Sequence, residues 1–238
     1  MFENGSEEVS AKDPYFLIFA ILCGRSKIVQ LLIEMGANIE STYKTKDRPL
    51  HWALKHNKEK IVKVLLKSGA DGKAKGEGDR TPIISAAMRG QANMIKILLE
   101  NGADVQQKTQ AGYTPLHYAA GYNHLKVVEI LIEFGAELES RSLASHTSLH
   151  CAASFGHVEI CQFLIANGAN IDGQNNCKET SLSYAVYKDH ANVVKTLLDL
   201  DASTKIRNDH GRGFLEYTLI KRANNIYKSV IHHLHVQK

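Results

Sequence analysis

The chain has 238 residues, 44% of them hydrophobic and 23% charged, with a formal net charge of +4. That balance fits a folded protein and excludes a low-complexity or highly charged disordered chain. No apolar run reaches the roughly 20 residues of a membrane helix, and so small a net charge does not by itself argue for nucleic acid.

In chain order, residues 1–9 are polar and acidic, and are expected to form a disordered tail rather than a secretory signal. The apolar stretch Tyr15–Cys23 is short and lacks a basic lead-in, so it reads as a first helix. A leucine or isoleucine then recurs every 33 residues, at Leu17, Leu50, Ile83, Leu116, Leu149, Leu182 and Leu215. A second marker keeps the same register: Gly36-Ala37, Gly69-Ala70, Gly102-Ala103, Gly135-Ala136, Gly168-Ala169 and the variant Asp201-Ala202. A fixed period of this size means stacked small units, which offer a surface more readily than a closed catalytic pocket. The register sets units starting near residues 10, 43, 76, 109, 142, 175 and 208, a repeat domain over 10–230 and a tail over 231–238.

The unit Thr109–Arg141 shows the design most clearly. A polar turn, Gln110-Ala111-Gly112, leads to Thr114-Pro115-Leu116-His117-Tyr118-Ala119-Ala120. Threonine suits a helix N-cap, and proline suits the first helical position, where its missing N–H costs nothing. Asn123 can take a left-handed conformation and end the first helix. A second helix with an apolar face runs from Leu125 to Ile132, and Gly135 stops it. Helices of about 8–10 residues are marginal alone, so each must bury its face on neighbouring units.

These residues resemble the ankyrin repeat, whose signature has T-P-L-H-x-A on a 33-residue period. Related versions are Arg48-Pro49-Leu50-His51-Trp52-Ala53, Thr81-Pro82-Ile83-Ile84-Ser85-Ala86, Thr147-Ser148-Leu149-His150-Cys151-Ala152 and Thr180-Ser181-Leu182-Ser183-Tyr184-Ala185. The resemblance implies an all-α ankyrin-repeat solenoid of about seven helix-turn-helix units, with degenerate first and last units as caps. Departures carry expectations of their own. Arg48 in place of the capping threonine should weaken that helix start. Asp201 in place of the stop glycine should cost roughly 1 kcal/mol if a left-handed turn persists there. Trp52 is expected in the core.

No catalytic constellation emerges. His51, His117 and His150 recur in the same motif slot, at least one unit apart, and are expected to brace neighbouring turns; the resemblance also makes this histidine structural. His232, His233 and His235 read as a polar helix end. No phosphate loop, nucleophile elbow or HExxH pattern is present. The cysteines, Cys23, Cys151, Cys161 and Cys177, form no CxxC pair and fit a reduced intracellular setting without disulfide or zinc. The sequence therefore reads as non-enzymatic, without catalytic residues, cofactor or metal.

The resemblance implies that partners meet a concave face made of turn tips and first-helix ends. By register, the turn tips include Lys44, Glu77, Arg80, Gln110, Tyr113, Leu143, His146, Asn176 and Glu179. The helix ends carry Lys55-His56, Met88-Arg89, Gly121-Tyr122, Ser154-Phe155, Tyr187-Lys188 and Ile220-Lys221. Aromatic rings and arginine are the types that carry interface energy. The expected contact set is Lys55, His56, Arg80, Met88, Arg89, Tyr113, Tyr122, His146, Phe155, Tyr187 and Lys188.

Charge is uneven along the chain: residues 44–75 carry a net +7, residues 76–174 a net −4, and residues from 205 onward a net +5. The expected role is a protein-interaction scaffold or adaptor: a monomer in the cytoplasm or nucleus that binds a protein or peptide and has no small-molecule substrate. The alternatives are a bacterial or viral effector acting on a host protein in the host cytosol, and nucleic-acid binding through the basic second unit.

Overall fold

The structure is a computed structural model and describes residues 13–220. The terminal segments 1–9 and 231–238, Lys221, and His232, His233 and His235 lie outside the described residues. Among the described residues there are thirteen α-helices, one 3-10 turn at Glu77–Asp79, and no strand beyond an isolated bridge between Arg207 and Gly213. No helix there is long and apolar enough to cross a membrane.

The described chain divides into two compact units, one of residues 13–86 with 91–104, the other of 87–90 with 105–220. The first holds α1 (Pro14–Leu22), α2 (Ser26–Glu34), α3 (Pro49–Lys55), α4 (Glu59–Lys67), most of α5 (Pro82–Met88) and α6 (Ala92–Glu100). The second holds α7 (Pro115–Gly121), α8 (Leu125–Glu133), α9 (Ser148–Ser154), α10 (Val158–Ala166), α11 (Ser181–Tyr187), α12 (Ala191–Asp199) and α13 (Phe214–Ile220).

In the second unit, seven-residue helices alternate with nine-residue helices. The periodic leucines Leu116, Leu149 and Leu182 are almost wholly buried, with Val127, Val128 and Leu131 of α8 and Ile160 and Leu164 of α10. Ala119, Ala120, Ala152 and Ala153 are sealed at the helix contacts, where small side chains let α7, α9 and α11 approach one another.

The Gly-Ala marker has a backbone cause. Gly135 sits at φ 85°; its N–H donates to the Ile132 carbonyl, and the Ala136 N–H donates to the Leu131 carbonyl. This is the Schellman closure of a helix end. Gly168-Ala169 repeats it, and so does Asp201-Ala202, where Asp201 is held at φ 63° with the same two bonds. The left-handed turn therefore persists without glycine, at a cost of about 1 kcal/mol.

The motif histidine fixes the helix start and ties it to the next repeat. His117 Nδ1 accepts from the Thr114 N–H at 3.1 Å and lies 2.8 Å from Thr114 Oγ1, while Nε2 lies 2.8 Å from the His146 carbonyl oxygen. An amide can only donate and a carbonyl only accept, so the ring proton must be on Nε2. His150 repeats the arrangement with Thr147 and the Glu179 carbonyl. In the first unit His51 does the same, but Arg48 supplies no hydroxyl and its N–H is 3.3 Å from Nδ1. The Arg48 guanidinium pairs instead with Glu40 at 2.6 Å.

Trp52 departs from expectation. It is only half-buried; its ring stacks on His56 at 6.0 Å, with Lys55 Nζ 5.1 Å from the ring centroid. Its Nε1 is nonetheless shielded from solvent.

Candidate protein-binding face

The second unit builds its candidate site on four successive repeats. Their turns are joined tip to tip: Leu143 N–H donates to the Ala111 carbonyl, Asn176 to Ala144 and Asp209 to Cys177. This row of backbone bonds holds the turns in line. Below them, α7 and α9 run side by side and present their ends in register.

Between these helix ends lies a cleft of about 550 Å³, lined by Tyr113, His117, Tyr118, Gly121, Tyr122, Cys151, Phe155 and His157. Tyr122 and Phe155, one repeat apart, are 53% and 63% exposed. Each stacks on the histidine two residues on, Tyr122 on His124 at 6.4 Å and Phe155 on His157 at 6.3 Å. Their rings are thus oriented by their own repeat yet left open to solvent, where rigid aromatic area can serve a partner.

A polar strut runs beside the cleft. Tyr113 Oη is 3.1 Å from His146 Nδ1, and His146 Nε2 is 2.8 Å from Tyr184 Oη. Asn175 Nδ2 reaches Tyr184 Oη at 3.1 Å, and its Oδ1 accepts from the Cys177 and Glu179 amides. The pattern recurs one repeat later, where Asn208 accepts from the His210 and Arg212 amides and donates to Glu179 and Tyr217.

Three of the groups lining the cleft, His117, Cys151 and Tyr113, are shifted toward their neutral forms. Burial pushes the His117 imidazole down to about 4, with Lys108 and His146 adding to the effect. Burial pushes the Cys151 thiol up to about 12 and raises the Tyr113 phenol. A thiol so disfavoured as thiolate is a poor nucleophile. All four cysteines are free.

The expected contact residues are divided between the two units. Tyr113, Tyr122 and Phe155 meet at the cleft. Tyr187 and Lys188 lie farther along the second unit, where Tyr187 borders a separate cavity of about 150 Å³ with Ser183, Tyr184, Glu179 and Tyr217. Lys188 Nζ lies 5.6 Å from the Tyr187 ring centroid. Lys55, His56 and Arg80 belong to the first unit, whereas Met88 and Arg89 belong to the second. Arg89 is exposed, but Met88, Arg80 and His146 are half-buried. His146 has both ring nitrogens engaged internally, so it acts as a brace more than as an exposed donor.

Sequence reasoning passed over a second polar ladder. His124 Nε2 donates to the Met88 carbonyl at 3.2 Å, His157 to Gly121 at 2.9 Å and His190 to Ser154 at 3.0 Å. In the first unit Gln91 fills the same slot and donates to Leu54 at 2.7 Å. Each bond caps the first helix of the preceding repeat with the residue that opens a second helix. The signal was present, because residues 91, 124, 157 and 190 keep the 33-residue spacing.

Family models agree with this architecture. A model described as ankyrin repeats in three copies matches residues 3–76 and 72–142, and one described as ankyrin repeats in many copies matches residues 149–198. No curated protein matches the sequence significantly. Ankyrin repeats generally act as protein–protein interaction modules. Matched over most of its length and built of paired short helices with bridging histidines, the chain belongs to the ankyrin-repeat family.

Proposed function

We propose that this chain is a non-enzymatic interaction module that binds a protein or peptide partner through the helix-end face of its second unit. The observation that carries the reading is the aromatic cleft, with Tyr122 and Phe155 held in register and more than half exposed. A soluble protein that keeps two large rings in water gives up apolar burial, roughly 25 cal/mol for each Å² left uncovered. A partner that covers the rings recovers that energy. Arg89, exposed one repeat before Tyr122, supports a polar rim, as does Lys188 one repeat after Phe155. Lys55, His56 and Arg80 are proposed as a separate contact set on the first unit. A scaffold or adaptor working inside the cell is the role this suits, since four free thiols fit a reducing compartment.

The test is affinity capture from a cell lysate with the wild-type chain and with Arg89→Ala/Tyr122→Ala/Phe155→Ala, followed by mass spectrometry. Partners retained by the wild type should be missing from the variant, whose thermal transition stays near the wild-type value. If an unchanged set is recovered, the binding surface lies elsewhere on the molecule.

A further inference from the structure

Gly121 occupies the last position of α7, directly after the motif, and its φ is not left-handed. Nothing in the backbone there calls for glycine, and glycine within a helix is a poor choice. The other repeats fill the corresponding slot with Leu22, Lys55, Met88, Ser154 and Tyr187. A Cβ placed on Gly121 would lie 3.7 Å from Cys151 Cβ and from two carbons of the Phe155 ring, in ordinary contact with both. A side chain at this position therefore starts against the Phe155 wall of the cleft, and a longer one fills it. The missing side chain is what leaves the space open.

We infer that Gly121 is a specificity-determining residue: it opens a socket for one large, neutral, apolar side chain of the partner, carried on a segment with acidic residues on either side. This rests on the proposed binding face and names what that face recognises. The lining supplies rings and no carboxylate, ammonium or guanidinium, so a charged side chain would enter without a salt-bridge partner among them. The flanks are cationic: Arg89 and Lys188 occupy the same repeat slot as Tyr122 and Phe155, one repeat outward on either side. The carboxylate of Glu179 is engaged by Asn208 and Tyr217, and that of Asp209 by Lys178, so these acids are partly neutralised where they stand. At about 10 Å per repeat and about 3.3 Å per residue, an extended segment centred on the socket meets each cation about four to five residues away.

The test is selection of a phage-displayed library of random twelve-residue peptides on the wild-type chain, Gly121→Ala and Gly121→Leu. The wild type and Gly121→Ala should enrich one motif, a single aromatic or large aliphatic anchor with aspartate or glutamate on its flanks. Gly121→Leu should bind a synthetic peptide of that motif at least tenfold more weakly, while its thermal transition is no lower than that of Gly121→Ala by more than a few degrees. Enrichment without an apolar anchor, no enrichment, or equal binding to Gly121→Leu overturns the inference. If the selected peptides ignore Gly121→Leu but are lost on Tyr122→Ala/Phe155→Ala, the binding face stands and only the socket fails. Peptides that ignore all these substitutions remove both.

Discussion

Replacing Tyr122 and Phe155 together by alanine is expected to weaken the complex with a purified partner by two to three orders of magnitude, with the melting temperature almost unchanged. The rings are more than half exposed, so truncating them removes little that the folded chain has buried. Central aromatic anchors of an interface cost about 2 kcal/mol or more each on truncation, which is roughly thirtyfold per residue. The two share one cleft, so their effects need not add. Isothermal titration calorimetry of the single and double variants measures both the losses and their coupling. A loss of affinity accompanied by a large fall in melting temperature would make the rings structural, as packing between adjacent repeats.

Acidification should unfold the protein through its motif histidines. His117 and His150 are buried, and each is driven down to about 4 from an ordinary value of 6.5. His51 is lowered in the same sense. Burial is the first cause, and the hydrogen bonds add a geometric one. Proton gain at Nδ1 sets its new N–H against the amide N–H that it had accepted.

Because the folded pKa lies below the unfolded one, the unfolded chain binds more protons between pH 6.5 and about 4. Stability is therefore fully present above pH 6.5 and falls as the pH drops towards 4. Each of the two histidines contributes on the order of 3 kcal/mol across that window. Urea unfolding from pH 7.5 to 4.5 should show a steep loss of midpoint. The chain supplies its own control, for Ser183 fills the histidine slot and receives the Thr180 cap at 3.2 Å through its amide. A His117→Ser/His150→Ser variant should be less stable at pH 7.5 but markedly flatter towards acid. An equally steep variant would place the acid sensitivity in other groups.

How far the sequence reached depends on what each residue answers to. The helix pairs, their caps and stops, and the bridging role of His117 and His150 follow from a local rule repeated in register. Asp201 could be placed in a left-handed turn from the repeat alone, because five Gly-Ala copies mark the same position. Register also placed Tyr122 and Phe155 at adjacent helix ends. On one exposed face they already read as a binding groove, but register left Gly121, in the neighbouring slot that borders the cleft, unremarked. Nor could it see that His146 is consumed between two tyrosines, a contact spanning residues 113, 146 and 184. Trp52 was expected in the core because its slot points between helices; the ring is only half-buried, with His56 and Lys55 against it. The division into two compact units has no marker in a period that runs through it unbroken.

The most direct measurement is photo-crosslinking with a benzophenone amino acid placed in turn at position 155, beside the cleft, and at position 162, exposed on α10. If the partner docks on the helix-end face, position 155 yields the crosslinked complex and position 162 yields little. A strong crosslink from position 162 with none from position 155 would contradict the account.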